Sequence, residues 1–142
     1  MIDEGRALVR ATLRLGHAVS YLLQAAINAV HTDANSVEDT DWAQIVALYD
    51  RLLAVAPTPV VALNRAIAVG EVDGPAAALA LVDTLNLAGY HPFHATQADL
   101  LRRVGRVDEA IDAYQRAALL APPGAERDFL TSQARHLSRP DR

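Results

Sequence analysis

Apolar residues recur along the chain at helical spacing, in segments that single glycines and prolines separate. No segment alternates apolar and polar residues as a half-buried β-strand does. Alanine, leucine and arginine, which favour helices, fill these segments, and β-branched residues rarely cluster. The pattern predicts eight α-helices with short connections, at about residues 3–15, 19–33, 41–55, 59–70, 75–87, 92–104, 107–120 and 124–137.

Several of these boundaries carry residues that begin or end helices. Gly16 follows the periodic stretch Ala7–Leu15 and is predicted to cap the first helix at its C-terminus. Asp41 is predicted to cap the third helix, with Gln44 three positions on as a variant of the capping box. Prolines precede most later helices, since proline is well tolerated in the first turn.

The chain also repeats itself. YDRLLAVAP at Tyr49–Pro57 returns as YQRAALLAP at Tyr114–Pro122. A shift of 32 positions superposes small residue on small residue and large apolar residue on large apolar residue: Ala66 on Ala98, Ala78 on Ala110 and Val69 on Leu101. The period is close to the 34 residues of tetratricopeptide repeats, and GRVDEAIDAYQRAALLAP resembles the second half of one. The predicted fold is therefore an all-α, tetratricopeptide-like right-handed α-solenoid of about eight helices, with small residues where helices touch.

Composition narrows the function. The 142 residues suit one domain, predicted at 1–137 with a frayed tail at 138–142. The chain has no cysteine, which excludes a disulfide framework and thiolate metal sites and fits a reducing cytoplasm. A net charge of −4 attracts neither nucleic acid nor anionic lipid, although all 13 basic residues are arginine. No apolar run is long enough to span a membrane, and the N-terminus does not resemble a signal peptide.

Two stretches resemble a particular bacterial family. They are QAAINAVHTDANSVEDTDWAQIVALYDRLLAVAPTPVVALNRAIAVGEVDGPAAALALVDTL and LAGYHPFHATQADLLRRVGRVDEAIDAYQRAALLAP. Together they are similar to the C-terminal tetratricopeptide-like extension of one subgroup of extracytoplasmic-function (ECF) sigma factors; Glu38–Trp42 and the pair Asn64-Arg65 are the most specific marks. The sigma regions that bind DNA and polymerase are absent from the chain. The resemblance implies a regulatory domain whose partners are those sigma regions in cis and the RNA polymerase core. The alternative is a free-standing repeat adaptor that binds a peptide or protein outside transcription.

Two sets of polar residues are candidate protein-interaction surfaces. Arg6, Arg10 and Arg14 recur at intervals of four and form a basic stripe on the first helix. Asn64, Arg65, Asp99 and Arg102 lie on the first helices of successive hairpins, which line the concave surface of a solenoid. The alternatives stay open: the stripe is also typical of a solvated face opposite Leu8, Val9 and Leu15, and Asp99 is spaced to pair locally with Arg103.

Three further groups of polar residues can be considered as metal, cation or acid–base sites. His91 and His94 have the spacing of metal ligands on a helix, but no cysteine or third ligand accompanies them. The acidic residues of the run 38–41, with His31 and Asp33, lack the glycine of a calcium loop and suit helix capping better. Asp108-Glu109 lies in a first helical turn, where no apolar pocket would shift a pKa. We therefore expect no enzyme activity, cofactor or metal, and no specific DNA binding by this chain.

Overall fold

A computed structural model describes residues 2–33 and 39–139, which are helical throughout apart from their connections and contain no strand. Within these described residues, seven helices follow one another: α1 (Ile2–Asp33), α2 (Trp42–Val55), α3 (Pro59–Asp73), α4 (Pro75–Val82), α5 (His91–Arg103), α6 (Val107–Leu120) and α7 (Ala125–Leu137). Apart from the break inside α1 and the end of α4, the predicted boundaries lie within three residues of these.

The two helices predicted before residue 34 are one continuous helix of 32 residues, so the prediction that Gly16 is a C-terminal cap is wrong. Gly16 is not among the glycines with positive φ in the described residues, and a cap of this kind needs that conformation. A glycine within a helix costs only about 1 kcal/mol relative to alanine. No proline or asparagine follows within the next turn to end the helix, so residues 17–33 continue it.

The chain forms two compact units, Met1–Arg65 and Ala66–Arg142. In the first, α1 packs on α2, with Ile27, Ile45 and Leu52 buried. Asp41 caps α2 as predicted, because its side chain accepts a hydrogen bond from the Gln44 amide at 3.1 Å. The cap thus fixes where α2 begins. Whether residues 1–137 act as one domain stays a prediction.

Small residues mark the helix contacts of the second unit. Ala66, Ala98 and Ala110, which the repeat superposes or singles out, have no exposed surface. Helices α3 and α4 also approach closely: a Cβ atom added to Gly70 would lie 2.9 Å from the Cβ atom of Ala78. Only a residue without a side chain fits there, so the repeat's small positions reflect direct helix-to-helix contact.

The turn between α5 and α6 is closed by a Schellman motif. The Gly105 amide donates to the Arg102 carbonyl at 3.0 Å, and the Arg106 amide donates to the Leu101 carbonyl at 2.9 Å. Gly105 has φ +87°, the left-handed conformation that this motif demands and glycine adopts without strain. The motif sets the tight antiparallel hairpin of α5 and α6, against which α7 also packs.

Helix α4 ends at Val82, five residues before the predicted end at 87. The chain leaves the helix through successive tight turns, with the Thr84 amide on the Leu81 carbonyl and the Leu85 amide on the Val82 carbonyl. The Thr84 hydroxyl donates to the same Leu81 carbonyl at 2.7 Å, which offers the backbone an alternative to a further helical turn.

Candidate protein-interaction surfaces

The arginine stripe lies on the N-terminal half of α1. Arg6, Arg10 and Arg14 are exposed, and none forms an ion pair with another described residue. The apolar residues between them are also uncovered: Leu8, Val9, Leu13 and Leu15 are 58–69% exposed. The leucines expected to be buried behind the stripe are therefore open to solvent. This half of α1 therefore exposes both charge and apolar area.

The two residues of the pair Asn64-Arg65 differ in their contacts. Asn64 is exposed on α3. The Arg65 Nε donates to Asp50 Oδ1 of α2 at 2.5 Å, and the Arg65 side chain is 29% exposed. Arg65 is thus engaged within its own unit, and Asn64 is the exposed member of the pair.

On α5, the local pairing of Asp99 is observed. Asp99 Oδ1 accepts from Arg102 at 2.7 Å, and Asp99 Oδ2 lies 3.7 Å from Arg103. The hydrogen bond that Arg102 donates to Asp99 raises the pKa of Arg102 above its ordinary value. Burial raises the pKa of Tyr114 on α6, and Arg102 opposes that change. The sequence did not indicate that the Asp99 cluster extends to this buried tyrosine.

Asp99 lines a shallow groove of about 270 Å³ between α3 and α5, the helices from which a concave surface was expected. Its other lining residues include Ile67, Glu71, Ala95, Thr96 and Arg103. Arg102 is not among them, so the structure places only part of the predicted set in the groove. Ile67 and Glu71 were missed, although their separation of four residues on a predicted helix could have indicated a shared face.

Another groove lies between α6 and α7 and has a volume of about 580 Å³. Two of its lining residues are arginines, Arg127 and Arg135. Leu119, also in its lining, is 81% exposed. None of these residues was singled out from the sequence, because their convergence depends on how α7 packs against α6.

The two histidines considered as metal ligands have separate roles. His91 Nε2 lies 3.2 Å from Glu126 Oε2 on α7. His94 is buried, and its Nε2 lies 2.7 Å from the Ala88 carbonyl. Its Nδ1 has no hydrogen-bond partner in the part of the chain that the structure describes. Within residues 2–33 and 39–139, no three histidine or carboxylate groups converge as metal ligands.

The acidic residues near α2 also act structurally where they are described. Asp41 is the N-cap of α2. The His31 ring meets the Trp42 ring edge-on, with centroids 5.3 Å apart. Glu38, which belonged to this candidate cation site and to the family resemblance, lies outside the described residues.

Glu109 lacks the pKa of an acid–base catalyst. Arg106 donates two hydrogen bonds to the Glu109 carboxylate, at 3.0 and 2.5 Å. This hydrogen bonding keeps the pKa of Glu109 below its ordinary value, away from the near-neutral range that general acid–base catalysis favours. The neighbouring Asp108 is exposed in the first turn of α6, where a negative charge complements the helix dipole.

Structural comparison defines the class of fold. The first tetratricopeptide domain of Spaghetti (RPAP3), solved with the HSP90 peptide SRMEEVD, has a TM-score of 0.64 and 19% identity over 84% of this chain and 94% of that one. The first tetratricopeptide domain of human RPAP3 gives 0.65 and 18% over 84% and 91%. The all-α, tetratricopeptide-like fold class predicted from the sequence is therefore confirmed. At these identities the likeness extends to the fold alone.

Sequence comparison relates the chain to part of a longer protein. An uncharacterized protein of Rhizobium meliloti (strain 1021) is 41% identical over 140 residues, which is 97% of this chain and 33% of that protein. The chain thus spans about one third of the length of this relative. No model of a known protein family matches the chain. Among the described helices, none combines the length and apolarity needed to cross a membrane.

Proposed function

We propose that the chain is a protein-interaction domain of a bacterial ECF sigma factor and regulates transcription initiation by contacting the sigma regions or the RNA polymerase core. The observation that carries the proposal is the match over nearly the whole chain to one third of a much longer protein. Such a match is typical of one module in a larger polypeptide. The family resemblance of residues 24–85 and 87–122 supplies the identity of the remaining modules.

The tetratricopeptide-like fold supports a contact-making role. Stacked helical hairpins provide extended surfaces that bind other proteins, and tethering to a sigma region makes docking effectively intramolecular. Even a weak contact is then occupied, since a short linker gives an effective concentration of roughly millimolar. In this proposal the domain acts in the bacterial cytoplasm without catalysing a reaction or reading promoter DNA.

The N-terminal half of α1 is the surface we assign to this contact. It combines three arginines without ion pairs and four largely exposed apolar residues. Apolar area supplies the driving force of association, and the charges set orientation and association rate. Asn64, Asp99 and Arg102 are secondary candidates, and Arg65 is engaged with Asp50.

A chimera tests the proposal. In the Rhizobium meliloti relative, this chain replaces the segment with which it aligns, and the protein is produced in a strain lacking the native gene. We expect the chimera to co-purify with the RNA polymerase core and to restore the native set of transcripts. Deletion of the segment should alter those transcripts, and the isolated chain should direct no transcription. A relative that neither binds the core nor directs initiation would contradict the sigma-factor assignment.

The α1 surface is tested in the same chimera. Arg6→Glu/Arg10→Glu/Arg14→Glu should reproduce part of the deletion defect. The matched control replaces the same three residues with lysine, which keeps the charge and should retain most of the regulation. If the glutamate variant regulates normally while the deletion does not, the domain has its role but another surface makes the contact.

A free-standing adaptor is the second candidate, and the groove between α3 and α5 favours it. The groove lies on the first helices of successive hairpins. The structural neighbour RPAP3 was solved with a bound peptide. If the chimera fails to bind polymerase, affinity capture with the intact chain and with Thr96→Trp, which would fill the groove, tests this function. Partners retained by the wild type and lost by Thr96→Trp would support the adaptor.

A further inference from the structure

We propose that the groove between α6 and α7 binds an acidic amphipathic helix of a partner protein. The inference is independent of the proposed function, because it concerns another face and holds for a sigma-factor domain or an adaptor alike. It depends on the shape of the groove, its apolar content and its charge.

Both walls of the groove are continuous helix faces. On α6 the lining residues Gln115, Ala118 and Leu119 are spaced at i, i+3 and i+4. On α7 the lining residues run from Arg127 to Arg135, about 12 Å along the helix axis, and Ser138 follows at the C-cap. A groove of about 580 Å³ between two helix faces suits side chains projecting from another helix.

The apolar part of the groove is incompletely covered. Ala134 is buried at its base, and Ala118 is half-buried. Leu119 is 81% exposed, the highest value among the exposed large hydrophobic residues of the described chain. An occupant that places a leucine against Ala118 and Leu119 would remove this apolar surface from water, which favours association.

The charge of the groove is opposite in sign to that of the chain. The whole chain carries a net charge of −4, but the charged residues lining this groove are two arginines without a carboxylate. Neither Arg127 nor Arg135 forms an ion pair with another described residue. A segment carrying carboxylates complements this groove, and a basic segment would be repelled.

Arg127 is already positioned to receive a carboxylate. Its Nε and one terminal nitrogen donate to the Ala121 carbonyl at 3.0 and 2.5 Å. A guanidinium has five N–H donors, so three remain for a ligand. Because the side chain is held in place, less conformational freedom is lost when an anion binds.

The spacing of the arginines selects the occupant. Arg127 and Arg135 are eight residues apart on α7, which is about 12 Å along the axis. A helix aligned with α7 would match them with carboxylates seven or eight positions apart. A leucine midway between those carboxylates would face the part of the groove between the two arginines, to which Thr131 and Ala134 contribute. The partner is therefore a helix with acidic residues at i and i+7 or i+8 and a leucine at i+3 or i+4.

The test uses a fluorescein-labelled, alanine-based helical peptide of about 16 residues with that pattern, and an otherwise identical peptide with lysine in place of glutamate. Binding to the intact chain is measured by fluorescence polarisation at low and physiological salt. We expect the acidic peptide to bind at least about tenfold more tightly, since lysine turns attraction into repulsion. Equal affinity, or no binding of the acidic peptide at millimolar protein, would overturn the proposal.

Variants locate the site. Arg135→Glu should weaken binding by about tenfold, and Leu119→Ala by about threefold or more. The controls are Arg116→Glu, an exposed arginine of α6 outside the groove, and Leu120→Ala, beside Leu119 but not in the lining; both should bind within about twofold of the wild type. An equal loss of affinity in the control variants would show that the peptide is attracted by surface charge and not bound in this groove. Wild-type binding by Arg135→Glu and Leu119→Ala would place the peptide elsewhere. Either result would refute the proposal.

Discussion

Replacement of Gly70 by alanine tests the helix contact on which the repeat depends. The added Cβ atom would lie 2.9 Å from the Cβ atom of Ala78, closer than real Cβ contacts. Relief requires α3 and α4 to move apart, and overpacking of this kind typically costs about 1–3 kcal/mol. Alanine in place of a helical glycine contributes about 0.5–1 kcal/mol in the opposite direction. We expect a net loss of about 1 kcal/mol, and at most about 2.5 kcal/mol, in the free energy of unfolding.

Two sets of variants separate the clash from helix propensity. Gly5→Ala and Gly16→Ala lie in α1 with no atom within 4 Å of the added Cβ atom, so each should stabilise by about 0.5–1 kcal/mol. Ala78→Gly removes the atom that Gly70→Ala would strike. The double variant Gly70→Ala/Ala78→Gly should therefore be more stable than the sum of its single variants by about 1–2 kcal/mol.

Urea unfolding followed by far-ultraviolet circular dichroism gives these free energies. The corresponding change in Tm for Gly70→Ala is a fall of roughly 3–10 °C. If Gly70→Ala stabilises the protein as Gly16→Ala does, α3 and α4 are not in the contact described. Additive effects of Gly70→Ala and Ala78→Gly would refute the same reasoning.

Three further predictions follow from individual side chains. Ala110→Leu should lower the Tm more than Ala125→Leu, since Ala110 is fully buried and Ala125 exposed; equal effects in a thermal melt would mean that the register is wrong. Asp41→Ala should lower the free energy of unfolding in urea by about 1 kcal/mol, because the cap of α2 is lost. Asp41→Asn, which can still cap the helix, should retain most of that stability. Arg106→Gln should return the pKa of Glu109 toward its ordinary value in an NMR titration. Because the pKa of Glu109 is lower in the folded than in the unfolded protein, its ionised form stabilises the fold at pH values above the unfolded pKa. That stability is lost as the pH falls through the folded pKa, and Arg106→Gln should make the loss smaller. An unchanged Glu109 titration would exclude Arg106 as the cause.

The features predicted correctly are those that a short stretch of chain determines. The cap at Asp41 depends on a hydrogen bond to a residue three positions away. The contact positions Ala66, Ala98 and Ala110 recur with the period of the hairpin, and only small side chains allow helices to approach closely. Periodicity and small-residue recurrence were therefore enough for the fold class.

The features predicted wrongly or not at all depend on competition or on distant partners. Gly16 is compatible with a C-terminal cap or with a helix interior. A glycine within a helix costs only about 1 kcal/mol, and the residues on both sides favour the helix by enough to continue it. The end of α4 was set by the Thr84 hydroxyl and successive tight turns, whose strength against another helical turn cannot be read from the residue types.

The sequence by itself determined that this protein is an all-α repeat, where most helices lie and which alanines they bury. Only the tertiary structure decided that Arg65 is engaged by Asp50 and that Arg127 and Arg135 share a groove with Leu119. The physical reason is the range of the interactions. Helix periodicity and capping act within a few residues, whereas a groove exists only after two helices have packed and fixed which side chains converge.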